Sequence, residues 1–245
     1  MSQHGKRYRQ ALANVDRERA YSPLEAIKLL KDQDGAKFDE TVEVHMNMGL
    51  NVRHAEQQLR GTLMLPHGTG KDTRVAVFAE GEKAKEAQDA GADVVGSADL
   101  AKQIEEGFDD FDVAVATPDM MGTVGKLGRI LGPRGKMPNP KAGTVTFDVG
   151  KAVRDSKAGK LEYRTDRGAN VHLAMGKKSF SERDLLENYA TVLDEIMRAR
   201  PAVAKGRYIR SITLTTSMGP GIKVDPSRTR GVVEELSEEA ATAAA

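Results

Sequence analysis

The sequence predicts a mixed fold in two domains: a discontinuous α+β domain interrupted by an inserted, doubly wound (Rossmann-like) α/β domain. Three observations lead there. Before about residue 66 and after about 160, polar and apolar residues alternate as in half-buried strands, whereas between them continuous apolar strands are separated by short helices. Breaker clusters, Pro66-His67-Gly68-Thr69-Gly70 and Ala158-Gly159-Lys160, stand at both transitions. The 245 residues, 39% of them hydrophobic, suffice for two modest cores. The expected division is 1–66 with 160–233 for the discontinuous domain, 67–159 for the insert, and 234–245 for an acidic, disordered tail. Two chain crossings so close together would form a two-strand hinge.

Taken in order, the first twenty residues read as a basic, partly helical arm. Ser22-Pro23-Leu24-Glu25 is a capping box with proline in the first turn, opening a helix to about Lys31. Thr41 to Met48 alternates strictly, with Val42, Val44, Met46 and Met48 on one face; a second alternating strand is expected from Gln57 to Leu65. The insert then reads as strand Arg74–Ala79, helix Glu82–Ala90, buried strand Val94-Val95, helix Asp99–Glu106 and strand Val113–Ala116. A glycine-rich helix, strand Thr144–Phe147 and helix Val149–Lys157 complete it. Beyond it, Leu161–Thr165 and Val171–Ala174 are expected to form a hairpin around Arg167-Gly168. Ser181 opens a long helix whose buried stripe is Leu185, Leu186, Tyr189, Val192, Leu193, Ile196 and Met197, and Tyr208–Thr216 is the last expected strand.

Composition removes several function classes. There are no cysteines, hence no disulfide or thiolate zinc site, and the expected compartment is the reducing cytoplasm. No apolar run approaches the roughly 18 residues of a membrane span, and no apolar segment follows the basic N-terminus as in a secretory signal. The five histidines lack metal-ligand spacing, and Asp109, Asp110 and Asp112 read as a solvated loop. No catalytic set, metal site or cofactor motif emerges. Net charge is +1, yet residues 1–233 carry +5, because the tail holds four glutamates and no cation.

The most unusual stretch is Met120–Phe147, with five cations, six glycines, three prolines and no acid. Met120, Val124, Leu127 and Leu131 share a helical face, Thr117 stands as N-cap, and Gly122, Gly125 and Gly128 recur every three residues. Each glycine costs roughly 1 kcal/mol against alanine inside a helix, so each needs a packing or contact reason. The loop from Gly132 to Gly143 is stiffened by proline and bears Arg134, Lys136 and Lys141; with Arg129 these cations suit closely approached phosphate. Nucleotide fingerprints fail: Gly68-Thr69-Gly70-Lys71 is followed by Asp72, and the glycines of the helix lack the strand–turn–helix context.

Two other segments have parts suited to RNA. Ala36-Lys37-Phe38-Asp39-Glu40-Thr41 offers a cation, an aromatic ring and a hydroxyl. Thr215-Thr216-Ser217-Met218-Gly219-Pro220-Gly221 offers hydroxyls, a methionine and bare backbone at a turn. Arg53 and Arg60 sit between the first two strands or on the polar side of the second. The residues alone leave open a two-domain enzyme that binds a phosphorylated ligand.

Gly125-Lys126-Leu127-Gly128-Arg129-Ile130-Leu131-Gly132-Pro133-Arg134-Gly135, followed by Met137-Pro138-Asn139-Pro140-Lys141-Ala142-Gly143-Thr144-Val145, closely resembles the hallmark run of the L-one family of large-subunit ribosomal proteins. The resemblance extends from His4-Gly5-Lys6-Arg7-Tyr8 to Lys205-Gly206. It implies a non-enzymatic protein without cofactor or small-molecule substrate that binds large-subunit rRNA and forms the mobile stalk beside the tRNA exit site. Its further implied roles are assisting release of deacylated tRNA and repressing its own operon through the mRNA. It also implies rRNA contacts at Lys37, Phe38, Glu40, Thr41, Ser217, Met218 and Gly219, to which Arg53, Arg60 and Thr216 are joined as candidates. Arg129, Arg134, Lys136 and Lys141 would face tRNA. Departures from the family pattern are Asn51-Val52 for Asp-Pro, Lys136 for leucine, Ser217 for threonine, and a displaced glycine in Asp166-Arg167-Gly168-Ala169.

Overall fold

The computed structural model describes residues 5–227, so the acidic 234–245 segment lies outside the described residues. Two compact units emerge, one from Lys71–Glu162 and one from the chain on either side, up to Gly70 and from Tyr163 onward.

The outer unit begins with α1 (Lys6–Ala13) and α2 (Pro23–Asp32). Ser22 and Glu25 close the capping box reciprocally, satisfying orphan amides at the start of α2. Next come β1 (Thr41–Met48), whose burial alternates residue by residue, and β2 (Arg60–Met64). β2 is shorter than expected, because Ala55–Gln57 coils into a 3₁₀ turn; Leu59, Leu63 and Leu65 are nevertheless all buried.

The inner unit comprises β3 (Val75–Phe78), α3 (Glu82–Asp89), β4 (Val94–Gly96), α4 (Ala98–Glu105) and β5 (Val113–Ala116). The short helices α5 (Met121–Val124) and α6 (Gly128–Leu131) precede α7 (Val149–Lys157). Its parallel sheet has the order β4-β3-β5. Because β3 is buried on both sides, its residues divide between two cores. Ala76 and Phe78 meet Leu100, Ile104, Val124, Leu127 and Leu131 on one face, while Val75 and Val77 meet Ala87, Val149 and Val153 on the other. Helices on both faces make this unit doubly wound. β4 is half-buried, unlike the buried strand expected, since it is a sheet edge. Thr144–Phe147 forms only an isolated parallel bridge, Val145 to Ala116; Thr144 instead turns back to Asn139 through its hydroxyl and amide.

The chain continues through β6 (Lys160–Arg164), β7 (Asn170–Lys177), α8 (Glu182–Arg198), β8 (Ile209–Thr216) and β9 (Ile222–Val224). The hairpin expected between β6 and β7 does not exist. β6 pairs with β2, whereas β7 joins the antiparallel sheet β7-β1-β8-β9. The turn between them redirects the chain from one sheet to the other: Asp166 Oδ1 accepts from the amides of Gly168 (2.8 Å) and Asn170 (2.6 Å). α2 and α8 cover one face of the four-stranded sheet. Leu185, Leu186, Tyr189, Val192, Leu193 and Ile196 are buried there, but Met197 is 37% exposed because it falls at the end of the stripe, in the last turn of α8.

Ala169, in that turn, is the only non-glycine residue at positive φ (60°) among the described residues. Its Cβ opposes the left-handed backbone at a cost of roughly 1 kcal/mol. Ala169→Gly should therefore raise unfolding stability by roughly 1 kcal/mol, as measured by urea denaturation, without altering the fold.

Candidate nucleic-acid interface

Two sequence-distant runs meet at the start of β1. Glu40 is 2% exposed, and its carboxylate accepts from the amides of Ala36 and Met218 (2.9 Å to the latter) and from the Thr216 hydroxyl. Burial opposes its charge, but these bonds and the nearby Lys178 ammonium outweigh it and hold the carboxyl below the usual glutamate range. Beside it, Thr41 and Ser217 lock reciprocally. The Thr41 amide donates to Ser217 Oγ (3.2 Å), and the Ser217 amide donates to the Thr41 carbonyl (3.1 Å). Lys177 Nζ donates to Thr41 Oγ1 at 2.9 Å. A side chain at Gly219 would place its Cβ 2.4 Å from Thr216 Oγ1, so the turn admits only glycine without displacing the hydroxyl that serves Glu40.

These bonds sort the candidates. Glu40 and Thr216 are buried and occupied within the protein; they position the two runs and are not themselves presented. Lys37, Phe38, Ser217 and Met218 are exposed, Phe38 at 57% and Met218 at 53%. An aromatic face, a thioether and a cation thus stand over a rigid polar base, which suits a stacked base and a phosphate. Arg53 and Arg60 lie elsewhere, beyond the far end of β1, so the structure does not bring them to this cluster.

In the inner unit the four expected cations divide. Lys136 Nζ binds Asp109 at 2.7 Å and stands 4.9 Å above the Phe111 ring, with its side chain only 18% exposed; Arg134 binds the same carboxylate at 3.0 Å. The Lys136 hydrogen bond chiefly, with Arg134, keeps the Asp109 carboxyl below its ordinary range. Lys136 is therefore a strut, and the acids 109, 110 and 112 are paired with Lys136, Arg74 and Lys71, not a merely solvated loop. Arg129 and Lys141 are exposed without an ion pair among the described residues, and so is Lys126, which the sequence reading left out of the patch. The expected helix is broken into 3₁₀ and α pieces. A Cβ at Gly122, Gly125 or Gly128 would meet nothing within 4 Å, so internal packing does not explain these glycines.

Sequence reasoning missed two features that need register. His45 and His172 face each other across β1 and β7 with Nδ1 atoms 2.8 Å apart. Buried Asn188 on α8 accepts from the His67 amide and donates to the carbonyls of Gly68 and Met175, holding the first breaker cluster. Among the described residues no group of three His, Cys, Asp or Glu is placed to hold a metal, and no helix is long and apolar enough to cross a membrane.

The sequence model of the ribosomal protein L1p/L10e family matches residues 29–220. The large ribosomal subunit protein uL1 of Rubrobacter xylanophilus is 63% identical over 224 residues, covering 91% of this chain and 97% of that one. Those of Thermobifida fusca and Acidothermus cellulolyticus are 60% and 57% identical, covering 92% and 98% of this chain and 96% and 99% of theirs.

Glu40→Gln tests the polar base. It keeps the shape but removes the charge that three donors address, and should cost about 1.5–3 kcal/mol near neutral pH. The depressed pKa stabilises the fold above the ordinary value of 4.5; that contribution disappears as pH falls through the lowered folded value. The stability gap between wild type and variant, followed by thermal unfolding from pH 7 downward, should accordingly narrow in acid.

Proposed function

The chain belongs to the ribosomal protein L1p/L10e family, and from that membership we propose that its outer unit grips a folded element of large-subunit rRNA through the Phe38–Met218 surface. Members of this family are structural components of the ribosome and not enzymes, which removes the alternative of a phosphate-binding enzyme. The observation that carries the reading is the Glu40 carboxylate joining residues 36–41 to residues 216–219, with Lys37, Phe38, Ser217 and Met218 exposed above it. Phe38 supplies a stacking face, Met218 an apolar contact at a sugar or base edge, Lys37 a phosphate contact, and the Ser217 hydroxyl a ribose partner.

The test separates binding from folding. Phe38→Ala and Met218→Asp should each weaken binding to purified large-subunit rRNA by about ten- to hundredfold, the equivalent of roughly 1–3 kcal/mol. The melting temperature should stay near wild type, because both side chains are exposed. A large fall in melting temperature with rRNA affinity retained would sink the assignment.

The finer reading places this protein in the mobile stalk beside the tRNA exit site, where the inner unit meets deacylated tRNA through Lys126, Arg129 and Lys141. Three unpaired cations and the bare glycine backbone beside them support it. Arg134 and Lys136 serve mainly to hold the loop to Asp109. Recognition of a look-alike element in its own operon's mRNA would use the same outer-unit surface and repress translation.

Replacing Lys126, Arg129 and Lys141 together by glutamine should leave rRNA affinity intact. Binding of deacylated tRNA to stalk-bearing ribosomes should weaken, and its log-affinity against log-salt slope should flatten by somewhat less than about one unit per lost phosphate contact. An unchanged slope would make these cations solvated surface only.

A further inference from the structure

Met218 is the most exposed methionine among the described residues, and it stands in the surface to which RNA binding is assigned. Of the ten methionines, Met46, Met48, Met120 and Met175 are buried, and Met121 and Met137 pack half-buried against a core of the inner unit. Met1 lies outside the described residues. The remaining three are exposed: Met197 at 37%, Met64 at 48% and Met218 at 53%. Met64 ends β2 and Met197 lies in the last turn of α8, whereas Met218 occupies the turn between β8 and β9. That turn holds it outward. The Met218 amide donates to buried Glu40 at 2.9 Å, the Gly219 amide donates to the Thr216 carbonyl at 3.3 Å, and Pro220 beyond them is buried. A backbone pinned on both sides leaves the sulfur open to solvent until a partner covers it. The chain has no cysteine, so thioethers are its only sulfur. Their oxidation follows solvent access, because the attacking lone pair needs no deprotonation.

We propose that Met218 is a reversible oxidation site whose state controls the RNA surface: a peroxide converts its thioether to the sulfoxide and weakens the grip on RNA. The sulfur lone pair attacks one peroxide oxygen, and a sulfur–oxygen bond forms as the oxygen–oxygen bond breaks. The second oxygen leaves with both protons as water, so sulfur is oxidised by two electrons and the peroxide reduced by two. A sulfoxide reductase reverses the step, taking two electrons from a dithiol that becomes a disulfide while the oxygen departs as water. The sulfoxide is polar and carries an acceptor oxygen where the thioether offered an apolar contact. Against a sugar or base edge that oxygen must shed its water, which costs affinity unless a donor meets it, and phosphate oxygens are acceptors only. The loss falls on binding and not on folding. Glu40 and Thr216 hold the turn through backbone groups and their own side chains, and the Met218 side chain takes part in none of these bonds. RNA seated on this surface shields the sulfur, so peroxide acts on the free chain. Met64 and Met197, outside the surface, can be oxidised without this consequence.

This inference rests on the rRNA reading above, and the experiment keeps the two separable. Full-length wild type, Met218→Leu and the double variant Met64→Leu/Met197→Leu are treated with hydrogen peroxide for increasing times and quenched. Peptide mass spectrometry then gives the oxidised fraction at each methionine, alongside melting temperature and affinity for purified large-subunit rRNA. If untreated wild type fails to bind, the rRNA reading falls, and the switch with it. If it binds, Met218 should gain one oxygen before buried Met46, Met48 and Met175 do. Affinity should fall by about tenfold or more in step with the Met218 sulfoxide fraction, at unchanged melting temperature. The Met64/Met197 double should lose as much, and Met218→Leu should keep the affinity it had before treatment. A sulfoxide reductase with dithiothreitol should restore binding as the added oxygen disappears from Met218. Peroxide given to the rRNA complex should spare Met218 and still oxidise Met64 and Met197. Full oxidation of Met218 with affinity intact would overturn the proposal, as would an equal loss in treated Met218→Leu. A fall in affinity that tracks a lowered melting temperature would trace the effect to core methionines and overturn it too. Should Met218→Leu bind too weakly to follow, the time course of the Met64/Met197 double decides the same point, because Met218 is then the one exposed methionine among the described residues. Equal oxidation of Met218 in free and bound protein would remove Met218 from the interface while rRNA binding itself stood.

Discussion

A buried carboxylate makes one surface from two distant pieces of chain. Glu40 is enclosed, charged and bonded to donors from residues 36, 216 and 218. An ionised group so placed is tolerated only when its oxygens are fully addressed, which fixes the donors as firmly as it satisfies the acceptor. The arrangement therefore has few alternatives. The loop after α2 and the turn after β8 must arrive together, and Gly219 must remain a glycine so that the Thr216 hydroxyl can serve Glu40. The exposed Phe38 and Met218 inherit that rigidity, which limits the entropy lost when a partner binds them.

The inner unit uses charge in the same economical way. Asp109 draws Arg134 and Lys136 inward and pins the proline-rich loop to the segment between α4 and β5, with Lys136 also covering the Phe111 ring. The departure from leucine at residue 136 is thus not a free charge added to the surface. Lys136 makes an ion pair and a cation–π contact there. What is left outward-facing is a smaller set, Lys126, Arg129 and Lys141, beside glycines whose missing side chains leave bare backbone.

Much of the architecture was legible because it is written in local periodicity. The strict alternation of Thr41–Met48 and the doubly buried run at Val75 state burial within a few residues, and the capping box at Ser22 states a helix start. The failures have equally physical causes. β9 spans three residues, too few to show a period. β6 and β7 read as a hairpin because adjacent alternating runs around Arg167-Gly168 have that pattern; the Asp166 turn sends them to different sheets, and the strain shows at Ala169 rather than at the neighbouring glycine. Thr144–Phe147 has strand composition, yet only Thr144 and Thr146 bond to Ala116, and the Thr144 amide turns back to the Asn139 carbonyl, so the pairing stays a single bridge.

By itself the sequence determined most of the secondary elements, the absence of cysteine chemistry and, through a long motif, the family. These depend on residue order and composition, which need no partner across space. Only the tertiary structure decided which charges and rings face outward. Glu40 and Lys136 looked like surface groups and are internal ones; Lys126 looked unremarkable and stands exposed without an ion pair among the described residues. The physical reason is that a charge's role depends on its nearest opposite charge and its access to water, and both are set by residues tens of positions away in the chain.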